Sequence, residues 1–213
     1  IIVTLVFCLL RLMPVEGYFA NYEKMTETQI QAGLQSMGLL DPLPVQIFRF
    51  WRDALQGDLG VSHIYRVNVP VVDILKDKLP ISIQMGVLAM LVSLVVGIPL
   101  GSVMGRFKHR LPDKIGTAVV ILIQAVPAAV YYLYIQMYGT TALNIGLLFN
   151  ADRWQYWVLP VFSMSLGNIA FYAMWLRRYM VDESNKDYVL LARAKGASED
   201  RIALRHIFRN AMV

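Results

Sequence analysis

The densest group of side chains able to engage charge or donate hydrogen bonds lies near the end of the chain. Between Tyr188 and Val213 stand Arg193, Lys195, Arg201, Arg205, His206, Arg209 and Asn210, interleaved with Ala192, Ala194, Gly196 and Ala197. Acid–base or nucleophilic chemistry would need a base beside a nucleophile, and metal chemistry a cluster of ligands. His63, His109 and His206 are far apart, Cys8 is the only cysteine, and no His-Glu-x-x-His or Gly-x-Ser-x-Gly run occurs. Nor is there a Gly-x-x-x-x-Gly-Lys-Ser/Thr loop to cradle phosphates. The sequence predicts no catalytic residue, no metal site and no cofactor, and excludes binding of ATP by this chain itself. These residue types at this spacing suit docking. Small residues let a partner's backbone come close, and the cations around them set its charge.

Two short helices must carry that surface. Asp187 is the expected N-cap of a helix over Tyr188–Lys195, Gly196 its left-handed stop, and Ser198 the N-cap of a second helix whose positive end faces Glu199 and Asp200. Ala192 and Gly196, four apart, leave one face close to bare backbone. Ile202, Leu204, Ile207 and Phe208 are the apolar contacts expected of the second helix. A basic amphipathic helix lying on the membrane surface is the rival reading, although it needs no glycine break.

Three long stretches elsewhere in the chain belong in lipid. It has 213 residues, 57% hydrophobic and 16% charged, with mean hydropathy +0.50, where a soluble domain carries about 25% charge. Segments 81–105, 115–137 and 154–176 contain no Asp, Glu, Lys or Arg, and each exceeds the ~20 residues that cross a hydrocarbon core as a helix. Residues 1–14, apolar apart from Arg11, are too short to span and lack the basic flank of a signal peptide. They read as the end of a first spanning helix whose start is missing, and an amphipathic helix is still running at Val213. The expected fold is an all-α integral membrane protein, a polytopic helical bundle with four spans visible.

Charge sets the expected topology. Loop 106–114 holds Arg106, Lys108, Arg110 and Lys114 against Asp113 alone, and the tail 177–213 holds eight basic residues against five acids. Residues 15–80 hold six basic residues and eight acids, and loop 138–153 only Asp152 and Arg153. Short loops rich in Lys and Arg stay cytoplasmic. The loop 106–114 and the tail are therefore expected inside, residues 15–80 and 138–153 outside, and the N-terminus cytoplasmic. The same distribution assigns the net charge of +5 to topology and excludes nucleic acid as its partner.

Two patterns lie inside the spans. Ala89, Ser93, Gly97, Gly101 and Gly105 recur every four residues, a ladder of small side chains that lets another helix approach closely. It serves packing within the chain or across a subunit boundary. Pro99 lies among them and is expected to kink the helix. In the next span Gln124, Pro127, Tyr131, Tyr134 and Tyr138 fall on one helical face. Tyr134 and Tyr138 suit an outer aromatic belt, and Gln124 and Tyr131 are candidates to line a pathway. Asn168, with Ser163 and Ser165, is the counterpart in the last span, or serves interhelical packing.

Several segments resemble the permease subunits of peptide-type ABC importers. Tyr188-Val-Leu-Leu-Ala-Arg-Ala-Lys-Gly196 followed by Arg205-His-Ile-Phe-Arg-Asn-Ala211 is similar to that family's cytoplasmic coupling loop. Gly57-Asp-Leu-Gly-Val-Ser62, Pro70-Val-Val-Asp-Ile-Leu75 with Leu79-Pro80, and Leu10-Arg-Leu-Met-Pro14 match its outer segment and the end of its first helix. Val15-Glu-Gly17 departs from the family's usual Gly-Asp-Pro. The resemblance implies that 81–213 is part of one permease domain, with two further spans beyond Val213. It implies an ATPase-coupling loop of Ala192, Arg193, Ala194, Lys195, Gly196, Arg205, His206, Arg209 and Asn210. It further implies ATP-binding subunits docking on 187–210, a second permease subunit and an extracytoplasmic solute-binding protein. The rival class is a secondary transporter or channel, which would show a charged residue within a span; spans 81–105, 115–137 and 154–176 have none.

Overall fold

A computed structural model describes residues 1–19 and 21–212. The chain divides into two compact units, Ile1–Pro80 and Ile81–Val213.

In the first unit, α1 (Ile2–Arg11) pairs with α3 (Leu43–Leu55). Phe7 and Phe50 lie 4.8 Å apart, Arg11 covers the Phe7 ring, and the Trp51 indole donates to Thr4 Oγ1. Between them α2 (Glu27–Ser36) starts at a capping box in which Thr26 and Gln29 satisfy each other's backbone N–H. The spacing of Ile47, Phe50, Trp51, Ala54 and Leu55 by itself predicts a short amphipathic helix over 46–56; the helix begins earlier, at Leu43, behind Pro42. Its Leu55 is exposed rather than packed. In Gly57-Asp-Leu-Gly-Val-Ser62 the Asp58 carboxylate accepts from the Gly60 N–H at 2.8 Å, and Gly60 takes a φ of +74°. The motif is a turn that only glycine enters cheaply.

The second unit is built on long apolar helices. α4 (Val71–Arg106) and α7 (Gln155–Ser184) are each long and apolar enough to cross a membrane. The span expected at 81–105 is thus part of one longer helix. Its 36 residues extend about 54 Å at 1.5 Å per residue, more than the ~30 Å core, so its ends stand outside hydrocarbon. Ile83, Val87, Leu91 and Val95 are exposed on it, a surface that water would penalise and lipid does not.

The span expected as one helix over 115–137 is broken. α5 (Leu111–Ala125) and α6 (Ala128–Leu143) meet at a 98° bend. Pro127 has no N–H to donate and pushes the residue before it out of the helical region; Val126 accordingly sits at φ −92°, ψ 127°. Contacts along α7 run in strict reverse order. Asp113 meets Arg177, Val120 shares a cluster with Ala173 and Ala170, Tyr131 reaches Gly167, and Gly139 abuts Leu159. From Arg177 to Leu159 along one helix is about 27 Å. A re-entrant loop would return Gly139 to the Arg177 end, so α5 and α6 together traverse the unit as one broken span.

The ladder on α4 packs against α7 of the same chain. Ser93 Oγ donates to the Ala89 carbonyl and lies 3.2 Å from that of Ser165. A Cβ added at Gly97 would fall 3.1 Å from the Ile169 carbonyl oxygen, one at Gly101 2.6 Å from that of Ala173, and one at Gly105 2.8 Å from Met180 Cβ. Close helix approach within one subunit therefore accounts for the ladder.

Candidate functional site

α7 runs on to Ser184, and after Asn185 and Lys186 α8 (Asp187–Ala194) begins. Lys186, not Asp187, is its N-cap, and no side chain caps it; Asp187 lies in the first turn, where an acid favours the dipole. The helix ends in a Schellman turn. The Ala197 N–H bonds the Ala192 carbonyl at 3.1 Å, the Gly196 N–H bonds that of Arg193 at 2.9 Å, and Gly196 has φ +81°. Ser198 then accepts from the Arg201 N–H as the expected N-cap. α9 (Glu199–Arg201), a π-helical stretch (Ile202–Phe208) and α10 (Arg209–Ala211) follow without interruption.

This tail folds back onto the end of α7. Val189, Ala192, Ile202 and Ile207 are buried in one cluster with Leu176 and Met180. Two expectations change. Ala192 is only 9% exposed, so it is the floor of the site and not a bare outer face. Leu204 is 64% exposed, while Ala203 takes the inward position. Bonding i to i+5 widens the turn by a residue and rotates Leu204 outward.

Between α8 and the following helical stretch lies an open groove of about 620 Å³. Tyr188, Ala192, Gly196 and His206 line it, and Lys195, Arg201 and Arg205 give it positive charge. Arg193 is committed elsewhere: its Nε and Nη2 donate to both carboxylate oxygens of Glu199, at 2.6 and 3.0 Å, across the glycine turn. The guanidinium holds the Glu199 carboxyl below the usual range. Tyr188 Oη donates to Glu183 and lies 3.3 Å from the His206 carbonyl oxygen. Burial, with the Glu183 carboxylate, pushes this phenol up. Ala194, Arg209 and Asn210 are exposed and lie outside the groove lining.

Sequence reasoning missed the ion pairs that brace this end. Asp113, 2% exposed, accepts from Arg177 Nε and, at 2.7 Å, from Nη2, from the His109 N–H at 2.8 Å, and from Thr117 Oγ1 at 3.4 Å. Arg106, the last residue of α4, pairs with Asp200 in the tail. Counting Asp113 among loop charges hid it; an acid four residues before Thr117 in a first helical turn was the only local sign. These pairs place the 106–113 loop and the tail at one end of the unit, as a common side of the membrane requires.

The pathway candidates are not brought together on one face. Gln124 is on α5 and Tyr131 on α6, and the bend between them removes the common helical face. Gln124 and Asn168 are exposed, and Tyr131 is half-buried against Gly167. Ser163 and Ser165 are buried and donate to carbonyls on their own helix. Tyr134 and Tyr138 are exposed and stacked at 5.9 Å.

Long apolar helices, a broken span and a basic tail folded back onto α7 make this a helical, multi-pass membrane protein. The chain belongs to the family of binding-protein-dependent transport system inner membrane components, whose model matches residues 97–213. A dipeptide transport system permease protein of Lactococcus lactis subsp. cremoris is 31% identical over 213 residues, all of this chain and 69% of that protein. Glutathione transport system permease proteins of Salmonella paratyphi A and Escherichia coli are 30% and 29% identical over 217 aligned positions, again covering 69% of each. The chain is thus an inner-membrane component of an ABC-type transport system, a permease subunit and not an enzyme.

Proposed function

We propose that the chain forms, with a second permease subunit, the translocation path of an importer for dipeptides, oligopeptides or a similar small solute. An extracytoplasmic solute-binding protein delivers the solute on the 15–80 side. Separate ATP-binding subunits dock on the 187–210 segment at the cytoplasmic end, and the N-terminus is cytoplasmic. The dipeptide and glutathione carriers among its relatives support a peptide-like substrate.

The observation that carries this reading is the construction of the tail. A basic groove sits beside a glycine turn whose Cβ direction is empty within 4 Å, and the whole is seated on α7 by buried apolar contacts. An exposed tail with no partner to receive would need neither the turn nor the rigid seat. Gly196→Glu tests it in cells carrying the complete transport system. The Cβ of the new side chain meets nothing within 4 Å in this chain, so obstruction comes from the partner, together with the strain of a non-glycine residue at positive φ, about 1–2 kcal/mol. Membrane insertion should be retained while ATP-driven uptake falls at least tenfold. Uptake at the unaltered level would reject the tail as the coupling element.

A further inference from the structure

We propose that Asp113 and Arg177 are a positioning pair that makes α5, and through it the broken span, follow the tail when the tail is moved; the proposal rests on the coupled-permease reading above. Their side chains are 3% and 22% exposed, and every hydrogen bond of the Asp113 carboxylate is directed. Two come from Arg177 in a bidentate fork. One comes from the backbone of His109, a non-glycine residue held at φ +62°, and one from Thr117 in the next turn of α5. The carboxylate therefore fastens three things at once: the turn after α4, the first turns of α5, and the end of α7.

Arg177 stands beside Leu176 and within one turn of Met180, both seated in the cluster that holds Val189, Ile202 and Ile207 of the tail. Displacement of α8 is passed to α7 by those buried contacts and to α5 by the fork. The second tie at this end, Arg106 to Asp200, has side chains 41% and 68% exposed, so water and salt can replace it. Asp113, with a side chain 3% exposed, has little such exchange available when Arg177 is released from it. Attachment of the helices alone does not call for the charges. Gly116 already packs on Met104, and Val120 on Ala170 and Ala173, and a well-packed apolar pair serves such a role equally well. What a bidentate fork adds is a fixed direction. At its far end α5 meets the Val126–Pro127 break, where a rigid rotation of α5 becomes a change of angle to α6.

The test uses the assembled transporter, with its partner subunits, in vesicles. Solute taken up per ATP hydrolysed is measured beside the amount of assembled complex. Asp113→Asn and Arg177→Met should hydrolyse ATP while uptake per ATP falls at least tenfold. The exchange variant Asp113→Arg with Arg177→Asp should recover part of it. Arg177→Lys keeps the charge, loses the fork, and should give an intermediate ratio; it serves where the stronger changes impair assembly. Unchanged uptake per ATP in the single variants overturns the proposal, as does a loss that merely follows the amount of complex. If the unaltered complex transports without ATP, the coupled-permease reading itself falls, a result distinct from either.

Discussion

At Gly101 one missing Cβ decides how closely two helices approach. An added Cβ would lie 2.6 Å from the Ala173 carbonyl oxygen and 3.0 Å from Leu176 Cβ, contacts that backbone cannot relieve. Gly101→Leu should cost about 1–3 kcal/mol through overpacking. Because the opposing helix belongs to the same chain, the loss should appear when this subunit is expressed alone, as a lower yield of detergent-stable protein. Gly86, with nothing within 4 Å, provides the control and should accept Leu. Equal yields for both variants would contradict the packing role. Glu199 titrates in a defined direction. Arg193 depresses its pKa, so the clamp across Gly196 is intact at neutral pH and is lost only as pH falls through that lowered value. Following the Arg193 Nε–H resonance should place the transition below the ordinary glutamate range. A transition at the ordinary value would show that the clamp is not formed in solution. The pair is exposed, so added salt should weaken it.

At the scale of elements, the broken span depends on Pro127. Replacing it by Ala restores an N–H and removes the restriction on Val126. Spin labels at Leu122 and Leu133, both exposed, should then move apart towards the ~16 Å that eleven residues span in a straight helix. An unchanged distance would assign the bend to the packing of α6 on α7. The sequence made some of these elements legible and hid others for physical reasons. Local chemistry was readable: Ser198 caps, Gly196 stops, and Gly97, Gly101 and Gly105 sit where a helix comes close. Pro127 was visible too, but the charge-free run around it masked the break, because hydropathy records composition and not backbone continuity. Leu204 was misplaced because an α-helical period was applied to a π-helical stretch. The Asp113–Arg177 pair joins residues 64 positions apart, and no local period encodes such a contact.

At the scale of the molecule, the helices of the second unit are braced at one end by ion pairs and by the tail's apolar seat. If that end is cytoplasmic, a cysteine at Arg110 should react with an impermeant thiol reagent only from inside, and one at Leu55 only from outside, in a Cys8→Ala background. Labelling of both from the same side would contradict the proposed topology. The central claim is that the tail receives an ATP-hydrolysing partner. It is tested most directly by crosslinking within the assembled transporter. Lys195 is exposed and lines the groove, and Ala194 next to it in the chain is exposed too, whereas Ala192 is buried and unsuited to a probe. A cysteine at Ala194 or Lys195 should crosslink to the ATP-binding subunit, with a yield that changes when ATP is added. No crosslink from either position, in a complex that still takes up solute with ATP, would contradict the account.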